Sequence, residues 1–202
     1  MREFSVVMGL VDYIPVLLFA VSGVLMMRDL YRPMPKYGFA MLAAGLINVF
    51  SAGFLKATWK LLYAMGICDF EILNKMFLPT QSLGFLMAGI AMVILVSQKK
   101  NRVFSAVPPA IFSGSVIFLV MMVLGFGCIC TCLSILAARL KKKTAIILFV
   151  VAFLASMCMG YAGRLDHTLA WVNWLEQSIN IVSQSCLLGG VLMLHKAGLK
   201  EA

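Results

Sequence analysis

Residues 164–195 read RLDHTLAWVNWLEQSINIVSQSCLLGGVLMLH, a stretch that is long and apolar enough to cross a bilayer yet carries a row of polar side chains. At about 100° per residue, five of them fall within about 60° of one another on a helix, and the sixth lies beside them. The row extends over about 27 Å, close to the thickness of the hydrocarbon core. Its members are Asp166, Asn173, Glu176, Gln177, Asn180 and Gln184.

This polar row cannot face lipid, because polar groups inside a membrane are costly and nearly always face a bundle interior or water. Other helices therefore have to surround the last one. We expect an all-α integral membrane protein, a polytopic helical bundle organised around residues 164–195.

The composition agrees with a membrane location. The chain is 62% hydrophobic and 12% charged, with a mean hydropathy of +0.99, whereas soluble domains carry about 25% charged residues. We expect residues 1–202 to form one transmembrane helical domain, with no separate nucleotide- or DNA-binding domain. No cysteine or histidine spacing typical of a metal site occurs, so we expect neither a metal nor a cofactor.

The net charge of +9 comes from basic residues whose positions indicate the membrane topology. The basic residues cluster at the ends of apolar runs, as the positive-inside rule expects of a multi-pass membrane protein. Their expected partners are membrane lipids, and nucleic acid is not expected.

Apolar runs divide the chain into candidate spans. The pattern predicts spans at about 5–27, 36–63, 76–96 and 144–161, followed by the polar helix. The stretch 103–140 is ambiguous. It fits one span at 116–138 after a re-entrant piece near Pro108, or a hairpin of two spans that turns at Gly125-Phe126-Gly127.

Charge counting favours the hairpin. Seven spans with the N-terminus outside place 12 basic residues on the cytoplasmic side against 5 on the other, whereas six spans give 10 against 7. Seven spans also put Asp12, Lys56, Lys60 and Glu176 at one depth. We therefore favour seven transmembrane helices over six, in the cell membrane, with the C-terminus cytoplasmic and Lys99 and Lys141 on the cytoplasmic side.

Two lysines lie inside the second span. Lys56 and Lys60 share one face because they are four residues apart. With Trp59 between them, they fit an interfacial belt in which both ammonium groups reach outward. They fit equally well a cavity into which at least Lys56 points, paired with Glu176 or Asp12.

The polar row predicts function only by class. We expect a protein that binds and moves a small polar or amphipathic molecule through an outward-opening polar cavity. The alternatives are an assembly or sensing subunit, which does not transport, and an embedded lipid-modifying enzyme built on Asp166, His167 and Glu176. The expected partner is a small-molecule ligand, and the sequence is also compatible with a homo-oligomer. The predicted ligand-binding residues are Glu176, Gln177, Asn180, Gln184, Asn48, Lys56, Gln81 and Asp12.

Overall fold

The computed structural model describes residues 5–97, 115–162 and 170–201, which are 89% helical and contain no strand. A short 3-10 turn at Leu199–Glu201 follows the last α-helix. The α-helices are α1 (Val6–Val11), α2 (Tyr13–Leu30), α3 (Lys36–Met65), α4 (Glu71–Lys75), α5 (Phe77–Ser97), α6 (Ser115–Arg139), α7 (Lys143–Ala162) and α8 (Ala170–Lys196).

The long helices fit a multi-pass membrane protein. Within the described residues, five helical stretches are long and apolar enough to cross a membrane, and α7 contributes a shorter apolar helix at Lys143–Met159. The bounds of these helices agree with those of the predicted apolar runs to within a few residues, except that α8 is described only from Ala170. The five are Val6–Leu30, Lys36–Met65, Glu71–Ser97, Val116–Arg139 and Trp171–Lys196.

The predicted hairpin at Gly125-Phe126-Gly127 is wrong. Helix α6 runs without interruption from Ser115 to Arg139, so this stretch forms a single helix, as the alternative arrangement expected. Gly125 allows α6 to pack closely on α5, because a Cβ atom at this position would collide with the backbone of Phe85. The re-entrant piece predicted near Pro108 lies outside the described residues.

Neighbouring helices form a closed ring in the order α2, α3, α5, α6, α7, α8 and back to α2. Helices α3 and α5 are antiparallel and touch through their backbones, since a Cβ atom on Gly45 would lie 2.6 Å from the carbonyl oxygen of Gly84 and 2.7 Å from the amide nitrogen of Ala88. Such small residues allow helices to approach closely in a membrane. The ring is therefore tightly closed at this contact.

Contacts between the other helices fix their directions. Asp12 contacts Lys60, so α2 and α3 are antiparallel. The short turn after Arg139 makes α6 and α7 antiparallel. Helices α7 and α8 are also antiparallel, because Ser183 contacts Ala152 while Gly190, further along α8, packs on Phe149, which comes earlier in α7. Helices α2 and α8 are parallel, because their C-terminal ends meet where Asp29 contacts His195.

It follows that α5 and α6 are parallel neighbours. Ser97, at the end of α5, and Ser115, at the start of α6, therefore lie at opposite ends of the bundle. Residues 98–114, which connect the two helices, lie outside the described residues.

The ring consists of two triplets of helices that have the same arrangement. The triplet α2, α3, α5 and the triplet α6, α7, α8 have the same order and directions, and in each triplet the second helix packs on the third. The buried core occupies the half of the bundle that holds Ser97 and Lys196, and it includes Leu42, Met92 and Leu133. The opposite half, near the N-terminus of the chain, is less filled.

Side-specific labelling tests this topology. In a variant without native cysteines, single cysteines at Ser97 and Lys141 should react with an impermeant thiol reagent from the same side of a vesicle. A cysteine at Val116 should react from the other side, because α5 and α6 are parallel. Labelling of Ser97→Cys and Lys141→Cys from opposite sides would restore the six-span arrangement.

Candidate functional site

A cavity of about 490 Å³ lies in the half of the bundle near the N-terminus and takes side chains from all six helices of the ring. Its inner part is aromatic. Phe85 lies between Phe19 and Phe126, with ring centroids 5.9 Å and 5.2 Å away. These rings separate the cavity from the packed core. The result is a chamber with a polar wall and an apolar floor.

The polar row of α8 forms much of the polar wall. Glu176, Gln177, Asn180 and Gln184 all line the cavity, at intervals of three and four residues that place them on one helix face. Asn173 is buried but does not line the cavity. Asp166 and His167 lie outside the described residues.

Gln177 has an unusual environment. It is only 3% exposed, and neither its Oε1 nor its Nε2 atom has a hydrogen-bond partner among the described residues. The Oε1 atom of Gln184 is also buried without a partner. Leaving a buried polar group unpaired costs about 1–3 kcal/mol, so such groups call for an explanation. Both residues face a cavity in which a ligand or water can supply the missing bonds.

An ion pair closes the cavity wall between the first and second spans. Asp12 interrupts the first span between α1 and α2, and its Oδ2 atom lies 2.9 Å from the Nζ atom of Lys60. The two side chains are only 15% and 11% exposed. The predicted pairing of Asp12 with Lys56 is therefore replaced by a pairing with Lys60, one helical turn further along α3.

Both lysines point into the cavity, so the belt interpretation is wrong. The Nζ atom of Lys56 lies 4.0 Å from the centroid of the Phe77 ring, a cation–π contact. Asp12 and Glu176 are close enough to act on Lys56 electrostatically. Trp59 is 9% exposed and its ring nitrogen donates to Asp69 at 2.9 Å. The two lysines line the cavity, whereas Trp59 does not and is held by Asp69 of the loop after α3.

Seven of the eight predicted site residues line this one cavity. Gln81 of α5 is among them, but Asn48 is not. The neighbouring residue Val49 does line the cavity. One residue rotates a helix by about 100°, which turns the amide of Asn48 away.

The sequence analysis missed a second polar cluster, at the opposite end of the bundle. Asp29 is 1% exposed, and its Oδ2 atom lies 2.7 Å from Nδ1 of His195. The guanidinium group of Arg28 contacts Nε2 of His195 at 2.8 Å. This cluster, the Asp29 latch, joins the first triplet to the second. Asp29 and His195 are 166 positions apart in the sequence. The parallel arrangement of α2 and α8 brings them together.

No family model matches this chain, and no curated protein or solved structure matches it. The chemistry of the cavity follows from its own side chains. The described residues that line it supply two carboxylates, two ammonium groups, several amides and an aromatic floor.

The ion pair makes a direct prediction. Lys60→Met should lower the free energy of unfolding by about 3 kcal/mol, because it leaves the carboxylate of Asp12 buried without its partner. Adding Asp12→Asn should recover part of that loss. Unfolding in detergent micelles measures both.

The exposed pair of Glu71 and Lys75 provides the control. Its nitrogen and oxygen atoms are 3.0 Å apart and its side chains are more than 60% exposed. Lys75→Met should change stability by less than about 1 kcal/mol, since exposed ion pairs contribute little. If the double variant is as unstable as Lys60→Met alone, Asp12 and Lys60 are not energetic partners.

Proposed function

We propose that this protein binds a small polar or amphipathic molecule in the cavity and carries it across the membrane. The observation that carries the proposal is the buried amide of Gln177, which lines the cavity with both polar atoms unpaired. A structural amide would be bonded to a neighbouring helix, as the hydroxyl of Ser183 is to the carbonyl oxygen of Ala152. An unpaired amide is suited to a ligand.

The size and lining of the cavity support a small ligand. Binding sites for small molecules are typically about 300–1,000 Å³, mostly apolar, with a few polar groups that fix orientation. The aromatic floor suits an apolar body, and the amides of α8 can replace the hydration of a polar group because each one donates and accepts. The ligand would lie with its polar end toward α8 and Lys56.

The asymmetry of the bundle supports movement of that ligand. One half holds the cavity, and the other half is closed by the packed core and the Asp29 latch. The two triplets repeat in parallel, an arrangement that transporters use to expose a central site alternately to the two sides. Release of the latch would let the triplets separate at the closed end.

The proposed orientation follows the basic residues. The cavity half would face outward with the N-terminus, and the latch half would face the cytoplasm with the C-terminus, in the seven-span topology. An assembly subunit is less favoured, because the polar row faces a cavity within its own bundle and not a lipid-facing flank.

Thermal unfolding with a panel of sugars, polyols, carboxylic acids, amines and amino acids tests binding. At least one class should raise the melting temperature, because a molecule that binds only the native state stabilises it. Gln177→Leu should abolish this shift while leaving the unliganded protein as stable or more stable, since an unpaired amide is removed.

Ser178→Ala is the matched control on the same helix, because Ser178 is exposed and does not line the cavity. It should change the unliganded stability by less than about 1 kcal/mol and should keep the ligand shift. Uptake of the stabilising solute into proteoliposomes then separates a transporter from a sensor. If no class shifts the melting temperature, or if Gln177→Leu unfolds the protein, the polar row is scaffold.

A further inference from the structure

The polar groups that remain unpaired in the cavity include both hydrogen-bond donors and hydrogen-bond acceptors. Lys56 has no ion-pair partner among the described residues, and its ammonium group carries three donors and no acceptor. Gln177 adds an unpaired donor at Nε2 and an unpaired acceptor at Oε1, and Gln184 adds an acceptor. A ligand that satisfies them all has to accept hydrogen bonds at one point and donate them at another.

The charges of the cavity restrict the ligand further. Among the described residues, two carboxylates and two ammonium groups line it, and their formal charges cancel. Asp12 and Lys60 already neutralise each other at 2.9 Å. In surroundings of low dielectric constant, a ligand with net charge would leave that charge without a counterion, which is costly. A ligand without net charge keeps the balance.

A ligand without any charged group would keep this charge balance, but it would give the ammonium group of Lys56 no anionic partner. Its ammonium group lies over the Phe77 ring and within electrostatic reach of Glu176, with donors available to an anionic group. A carboxylate there would form a charge-assisted hydrogen bond, about twice as strong as a neutral one. The matching positive group would lie at the unpaired Oε1 atom of Gln177.

We infer that the ligand of this cavity is a small zwitterion with an apolar body, of the size and charge pattern of an apolar amino acid. Its carboxylate contacts Lys56 and Nε2 of Gln177, its ammonium group contacts Oε1 of Gln177, and its apolar body lies against Phe85 and Phe126. This inference rests on the proposed binding function and adds the chemical class of the ligand.

Four probes of similar shape test the class with the full chain in detergent micelles. They are leucine, 4-methylpentanoate, which lacks the amine, 3-methylbutylamine, which lacks the carboxylate, and 3-methylbutan-1-ol, which lacks both charges. Leucine should bind at least about tenfold tighter than each of the others, which corresponds to about 1.4 kcal/mol.

Lys56→Met should weaken leucine binding about tenfold or more and leave the affinity for 3-methylbutylamine unchanged or higher, because only the anion loses its partner. Lys75→Met, an equivalent change at an exposed lysine, should leave all four affinities unchanged. Tightest binding of the acid, the amine or the alcohol would overturn the zwitterion assignment.

The wider panel distinguishes the two kinds of failure. If none of the four probes binds and a sugar, polyol, carboxylic acid or amine stabilises the protein through Gln177, the ligand class is wrong and the binding function stands. If a zwitterion other than leucine stabilises the protein through Gln177, the assignment of the ligand as a zwitterion is supported. If nothing in the panel stabilises the protein, the proposed function fails together with the class.

Discussion

The polar face of α8 is the feature on which the rest of the arrangement depends. A helix that carries Glu176, Gln177, Asn180 and Gln184 along one face cannot present that face to lipid, where unpaired polar groups have no water to bind. Helix α8 closes a ring with five other helices, and Asp12, Lys56 and Gln81 face the same cavity as its polar side chains. The ring, the cavity and the position of the charged residues all follow from this requirement.

Packing then divides the bundle into two unlike halves. At glycines such as Gly45 and Gly125 the helix backbones touch, and close contact of this kind substitutes in a membrane for the hydrophobic effect that drives packing in water. Toward the Asp29 latch, buried apolar side chains pack the interior. Toward the N-terminus, charged and amide side chains leave space. The cavity and the packed core therefore lie toward opposite ends of the bundle.

Much of this arrangement could be predicted from the sequence, because hydropathy and helical periodicity are local signals. The span boundaries and the inward polar face of α8 were predicted in this way. Gly125 and Gly127 were misread as a turn, because a glycine needed for helix contact looks the same in sequence as one needed for a bend. The choice of Lys60 over Lys56 as partner of Asp12, and the meeting of Asp29 with His195, depend on the relative positions of helices, which no local pattern specifies.

The most direct measurement is the accessibility of the cavity to water. In a variant without native cysteines, a single cysteine at Asn180 should react with a hydrophilic, membrane-impermeant thiol reagent from the side on which the N-terminus lies. The lipid-facing control Leu192→Cys, on the same helix but in the closed half, should react from neither side. A cysteine at Asn180 that stays unreactive from both sides, or that reacts from the C-terminal side, would contradict a binding cavity that opens on the N-terminal side.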